Sequence, residues 1–167
     1  MPGGQCVQCP RAKEASMTPL DLRISRPRSA RQTLFGFFLL PRTIDKLRAE
    51  LPGGHLGLYL NHDIGFSAYV VKRLGLDMNE FRDTVARAAE ESEVAAWLEA
   101  HIDSTTAPAL NAKLESFVVE RMSADDQILV RKRHPVMATR PELTCILDIL
   151  DADDDYSAGP SSPANSS

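Results

Sequence analysis

Basic side chains are concentrated in one region near the start of the chain. Residues 21–48 contain seven arginine or lysine side chains and two acidic ones, in a chain whose formal net charge is −4. Guanidinium groups bind carboxylates and phosphates through paired hydrogen bonds, and a helix start adds further donors. This arginine cluster is therefore predicted to hold a small anionic ligand. The predicted ligand-binding set is Arg26, Arg28, Arg42, Lys46 and Asn61.

The same arginines have a simpler explanation, which is pairing with carboxylates of the chain itself. Residues 75–104 hold eight acidic side chains and two arginines. Because a buried charge without a partner is costly, each arginine must face water, a ligand or a carboxylate. Internal pairing is slightly favoured by composition, and anion binding stays the leading functional hypothesis.

Proton transfer without a cofactor is a second hypothesis. Histidine side chains can transfer protons near neutral pH, and His62 lies in residues 55–65, a segment without a regular hydrophobic pattern. Asp45 follows Arg42 by three residues and is a candidate base, although a neighbouring arginine lowers the pKa of a carboxyl group and weakens it as a base. A structural ion pair is thus the alternative for Asp45, and a surface turn is the alternative for His62. The predicted catalytic set is His62, Asp45 and Tyr59.

Motifs that would indicate a metal or a nucleotide cofactor are absent from the sequence. The four histidines lack the close helical spacing of metal ligands, and no phosphate loop, dinucleotide fingerprint or Gly-x-Ser-x-Gly motif occurs. Cys6 and Cys9 form a Cys-x-x-Cys pair without two further zinc ligands and outside the strand–helix context of a redox pair. We therefore predict a protein with no metal and no cofactor.

The composition and net charge of the chain limit its possible location and its possible binding partners. The hydrophobic fraction of 43% and the charged fraction of 25% are ordinary for a globular protein. The longest apolar run, Leu34–Leu40, is far shorter than the roughly 18 residues of a membrane span, and no secretory signal is recognised, so a cytoplasmic location is predicted. The acidic net charge and the lack of a reading module argue against nucleic acid. A protein-interaction module is a third hypothesis, with the C-terminal helices as the expected surface of any homo-oligomer.

Hydrophobic spacing predicts an all-α, single compact domain with about seven helices and at most one short strand pair. The apolar run Leu34–Leu40 is predicted as a buried helix capped by Ser29, with a strand as the alternative. The other predicted helix starts are Pro41, Asp77, Ser92, Pro108, Ser123 and Pro141. The predicted organisation is a flexible tail at residues 1–19, a helical domain at 20–156 and a disordered tail at 157–167.

Three blocks of the chain form a recognisable pattern: Leu22–Arg31, the Leu-Pro-Arg-Thr-Ile-Asp-Lys segment at residues 40–46, and Gly75–Asp77. In these blocks the chain resembles the bacterial domain-of-unknown-function family 5069. The resemblance covers roughly residues 20–102, with 103–156 as a helical extension. The chain departs from the family pattern after Tyr59. The family tends to carry a Cys-Pro-Leu-Asp-like segment there, whereas residues 61–64 of this chain are Asn-His-Asp-Ile. The resemblance implies a fold and a domain boundary, and no reaction.

Overall fold

Helices carry most of the residues that the computed structural model describes, which are residues 16–157. The helices of this part are α1 (Leu40–Ala49), α2 (Gly65–Arg73), α3 (Met78–Arg87), α4 (Glu91–His101), α5 (Ala107–Glu115), α6 (Ala124–Arg133), α7 (Val136–Thr139) and α8 (Ile146–Ser157). Single 3-10 turns lie at Ser104–Thr106 and Val119–Arg121. The prediction of one mainly helical domain with a short strand pair is confirmed. The Cys6–Cys9 pair and most of both predicted tails lie outside the described residues.

The apolar run after residue 32 is a β-hairpin, so the helix predicted for it is wrong and the strand alternative is right. Strand β1 (Thr33–Leu34) pairs antiparallel with β2 (Phe37–Phe38). The two residues between them, Phe35 and Gly36, have φ angles of 52° and 82°. Such angles form the tight turn that joins twisted antiparallel strands, and glycine makes the second position inexpensive. The turn places Phe37 in the core, where it is fully buried.

Helix α1 occupies the middle of the fold, and nine of its ten residues are buried. One hydrophobic cluster joins it to α3 and α4 through Ile44 and Leu47, and another joins its start to the hairpin, α2, α5 and α8. Pro41 lies in its first turn, as predicted, where the missing N–H leaves no hydrogen bond unmade. Because α1 is surrounded, its charged side chains are carried into the interior.

Two predicted caps are confirmed and two predicted helix starts are wrong. Asp77 accepts a hydrogen bond from the backbone N–H of Glu80, and Ser123 caps α6 in the same way. Ser92 lies inside α4, whose N-cap position is Glu90. The last helix begins at Ile146 rather than Pro141, because the preceding residue pairs with Val118 in an isolated β-bridge.

Within residues 16–157, no helix is both long enough and apolar enough to cross a bilayer.

Candidate functional site

Arg42 is paired with a carboxylate of the last helix. Its guanidinium donates two hydrogen bonds to Asp154 of α8, with Nη1–Oδ2 at 2.6 Å and Nη2–Oδ1 at 2.9 Å. The two side chains are only 5% and 7% exposed. A charge pair at this depth is stable while both partners remain, and losing one leaves an uncompensated buried charge. This pair therefore fastens α1 to α8.

Arg28 is paired on both edges of its guanidinium. Nη2 and Nε donate to Asp45 of α1, the former at 2.8 Å from Oδ1, and the Arg28 backbone N–H lies 2.7 Å from Asp45 Oδ2. Nη1 donates to Glu91 Oε1 at 2.6 Å. Asp45 thus fixes the segment before the hairpin to α1, which is the structural role that was the alternative to catalysis.

Two more arginines of the cluster, Arg26 and Arg31, also meet carboxylates of α8. Arg26 pairs with Asp155, and Arg31 donates to Asp148 at 2.7 Å and to Glu115 at 3.1 Å. The arginine cluster consequently does not converge on one ligand position. The arginines are instead paired with carboxylates of the chain itself. Helix α8 supplies more of these carboxylates than any other element, and Glu91 is the one that comes from residues 75–104.

His62 is held by two carboxylates. Its Nδ1 meets Glu50, whose other oxygen accepts from the His62 backbone N–H at 3.0 Å, and its Nε2 lies 3.1 Å from Asp63. Both ring nitrogens are therefore engaged in a buried position. Asn61, the preceding residue, is exposed.

A cavity of about 210 Å³ lies between α1, α2, α6, α8 and the loop before α2. Its polar or titratable lining is Arg42, Lys46, Tyr59, Ser67, Arg133, His134, Asp153 and Asp154. Its apolar lining includes Leu39, Leu58, Phe66, Leu129, Val130 and Leu150. A mostly apolar hollow with a few convergent polar groups is the usual form of a small-molecule site.

Lys46 is the unusual charge in this cavity. The residue is 6% exposed, and its Nζ lies 3.3 Å from Ser67 Oγ. Among the described residues, no carboxylate oxygen comes within 4.0 Å of that nitrogen. Glu50, which follows the last residue of α1, is bound to His62 instead. Burial, and then the nearby Arg42 guanidinium, lower the pKa of Lys46 from 10.5 to about 8.

The first turn of α2 faces the same cavity. The helix begins at Gly65, and no side chain caps it at Ile64. The backbone N–H groups of Gly65, Phe66 and Ser67 have no acceptor in the described part of the chain, and all three residues line the cavity. These donors and the helix dipole add positive potential next to Lys46.

His134 and Asp153 form a pair on the opposite elements, at the end of α6 and in α8. His134 Nδ1 lies 3.1 Å from Asp153 Oδ2, while Asp153 Oδ1 is buried without a hydrogen-bond partner among the described residues. Tyr59 completes the wall, with its ring centroid 5.5 Å from the Arg42 guanidinium carbon. Burial, together with the neighbouring Asp154 carboxylate, raises the pKa of Tyr59, so the phenol keeps its proton. Within residues 16–157, no group of three or more His, Cys, Asp and Glu is arranged to hold a metal ion.

The structure divides the predicted site residues into two groups. Arg42, Lys46 and Tyr59 share the cavity. The others lie outside its lining and are Arg26, Arg28, Asp45, Asn61 and His62. Two cavity residues, Ser67 and His134, are not predicted from the sequence. Ser67 is the third residue of the segment Gly-Phe-Ser-Ala-Tyr at residues 65–69, which ends in tyrosine where a Gly-x-Ser-x-Gly motif requires glycine. His134 is predicted only to end a helix.

The fold and the cavity define a small helical domain with a cationic, partly apolar pocket. The chain belongs to the family described as domain of unknown function DUF5069, whose model matches residues 24–156. The matched range takes in the C-terminal helices that complete the cavity as well as the segment of the arginine cluster. Comparison with curated proteins found no match.

Proposed function

We propose that this protein binds a small anionic metabolite in the cavity, with the Lys46 ammonium as the main contact. The observation that carries the proposal is a buried lysine that faces a cavity and has no carboxylate beside it in the described residues. Removing an ammonium group from water costs several kcal/mol unless a charge compensates it. A bound anion would supply that charge. Arg26 and Arg28 take no part, because carboxylates of the chain already occupy them.

The anion has a second set of donors available. Gly65, Phe66 and Ser67 line the same cavity as Lys46, and their backbone N–H groups, which have no acceptor in the described part of the chain, suit a carboxylate or a phosphate. Charge-assisted hydrogen bonds of this kind are the stronger ones in proteins. Two elements, α1 and α2, would therefore hold the charged end of the ligand.

The size and lining of the cavity narrow the ligand class. A volume of about 210 Å³ is below the ~300–1,000 Å³ of most ligand pockets. Leu58 and Leu129 border it and are 92% and 53% exposed. A short-chain carboxylate, with its apolar end toward these leucines, fits better than a nucleotide.

Ligand binding is tested with a panel of short carboxylates and inorganic phosphate, by thermal shift and calorimetry at matched ionic strength. The variants are Lys46→Met, which removes the charge at similar volume, and Lys132→Met, an exposed lysine of α6 outside the cavity lining. We expect saturable stabilisation of the wild type and of Lys132→Met. Loss of a charged hydrogen bond should weaken binding by roughly 10- to 100-fold in Lys46→Met. Equal affinity in both variants, or no saturating anion, refutes the proposal.

A protein-interaction role is the second candidate, favoured by exposed apolar side chains on α6. Ile128 is 66% exposed and lies outside the cavity lining, next to Leu129. Replacing Ile128 with serine should leave anion binding intact and should abolish self-association if this surface mediates it. Sedimentation velocity of both proteins measures the outcome, and a wild type that stays monomeric at high concentration removes the self-association form of this candidate.

A further inference from the structure

Ser67 and Lys46 form a hydrogen-bonded pair in the wall of the cavity. Ser67 is 4% exposed and is the third residue of α2, and its Oγ lies 3.3 Å from Lys46 Nζ. The hydroxyl has no other hydrogen-bond partner among the residues described. A serine hydroxyl becomes a nucleophile when a neighbouring base can take its proton, and lysine serves as that base in Ser–Lys sites. The separation is slightly longer than in engaged pairs, as is common without a ligand.

The surroundings of Lys46 favour the neutral amine that a base requires. Arg42, one turn earlier on α1, repels a second positive charge, and no carboxylate of the described part touches Nζ. The other titratable groups facing the cavity are Tyr59 from the loop, Arg133 and His134 from the end of α6, and Asp153 and Asp154 from α8. Glu50, the residue that follows α1, attracts the Lys46 charge and partly opposes the effect of Arg42, and its carboxylate is hydrogen-bonded to His62. A lysine desolvated beside another cation is a recognised form of activated amine.

The start of α2 can stabilise the negative charge of an acyl-transfer intermediate. The N–H groups of Gly65, Phe66 and Ser67 are free of acceptors in the described residues and belong to the same turn as the hydroxyl. Donors already fixed where an oxyanion develops are a large part of catalysis in acyl transfer. The nucleophile, the base and the oxyanion donors thus come from two adjoining elements, α1 and α2.

We infer that Ser67 and Lys46 act as nucleophile and general base in the cleavage of short-chain acyl esters. Lys46 Nζ takes the Ser67 Oγ proton while Oγ bonds to the acyl carbon. The carbon–oxygen bond to the alcohol then breaks, and the alcohol leaves with the proton from Nζ. Water attacks the acyl-serine and loses a proton to Nζ, and Nζ returns this proton to Ser67 Oγ as the bond between the acyl carbon and Oγ breaks, which releases the carboxylic acid. The inference rests on the proposed function in one respect, since the carboxylate product is the anion that the cavity is proposed to bind.

A serine-reactive probe tests the nucleophile directly. The full chain is treated with a fluorophosphonate and mapped by peptide mass spectrometry, and hydrolysis of p-nitrophenyl acetate and butyrate is measured. The variants are Ser67→Ala and Lys46→Met, with Ser92→Ala and Lys132→Met as exposed controls. We expect one adduct per chain at Ser67 and a fall in hydrolysis of about 100-fold or more in both cavity variants only. Absence of the Ser67 adduct, or hydrolysis unchanged in Ser67→Ala, overturns the inference.

Two further measurements keep the test decisive. Ser67→Cys preserves a nucleophile of similar shape and should be alkylated by iodoacetamide faster than Cys145 of the same chain, which guards against misfolding of the alanine variant.

Hydrolysis should increase with pH as Lys46 loses its proton, whereas anion binding should decrease. Equal pH dependence of hydrolysis in Lys46→Met and in the wild type contradicts the role of Lys46. Ser67→Ala should still bind carboxylates. If anions bind but Ser67 is unreactive, this inference fails alone, and if no anion saturates, the proposed function fails.

Discussion

Replacing Lys46 with methionine should stabilise the ligand-free protein. Burial lowers the pKa of Lys46 from 10.5 to about 8. A decrease of this size means that the protonated lysine destabilises the folded protein by about 3 kcal/mol relative to the neutral lysine. Methionine fills a similar volume without a charge. The variant loses only the hydrogen bond to Ser67, worth about 1 kcal/mol. We therefore expect a net gain of about 2 kcal/mol in the free energy of unfolding at pH 7.

The pH dependence gives the sign of this effect a separate test. Between pH 8 and 10.5 the unfolded chain keeps the Lys46 proton more readily than the folded one, so wild-type stability rises with pH through this window. The advantage of Lys46→Met should be complete below about pH 8 and should disappear above about 10.5. Urea unfolding of the wild type, Lys46→Met and Lys132→Met over pH 6–11 measures it. A destabilised Lys46→Met at pH 7, or an advantage that does not change with pH, would refute the description of Lys46 as a costly buried ammonium.

The remaining predictions concern the elements that hold the cavity. Arg42→Met should cost about 3–5 kcal/mol in urea unfolding because Asp154 is left buried and unpaired, and adding Asp154→Leu should recover much of the loss; additive losses would contradict the pairing. Gly36→Ala should cost roughly 1–3 kcal/mol in the same assay, since Gly36 has a φ of 82° and a Cβ there would lie 3.3 Å from Ala107 Cβ. Phe81→Ala should cost about 3–5 kcal/mol, and a change below about 1 kcal/mol would mean that this fully buried ring is replaceable.

The parts of the fold that could be predicted are those decided by neighbouring residues. Pro41, Asp77 and Ser123 start helices through contacts within one turn, and the sequence shows all the atoms involved. The helix predicted for the apolar run Leu34–Leu40 is wrong because such a run suits a helix and a strand equally well. The deciding feature, two consecutive positive φ angles at Phe35 and Gly36, becomes favourable only when Phe37 is packed against the core.

The candidate site was only partly predictable because its ion pairs join distant parts of the chain. Arg42 and Asp154 are 112 residues apart, and no local pattern indicates which of the many acidic residues an arginine will meet. Sequence reasoning recognised an excess of cations but could not tell paired from unpaired ones. Lys46 is predicted only as one member of a cluster, whereas its importance comes from the carboxylate partner that the arginines have and that it lacks among the described residues.

The cavity owes its chemical interest to the contrast between Arg42, which is paired with Asp154, and Lys46, which is buried without a carboxylate within 4.0 Å among the described residues. In an arginine–carboxylate pair each group neutralises the charge of the other and satisfies its hydrogen bonds, so the pair has a structural role that requires no ligand. Among the described residues, Lys46 forms a hydrogen bond only with a serine hydroxyl, and its burial destabilises the folded protein when no ligand is bound. Groups whose pKa is shifted by burial and that face a cavity are concentrated at functional sites. The stability gain predicted for Lys46→Met and the loss of anion binding predicted for the same variant therefore belong together: a purely structural lysine would be expected to produce neither.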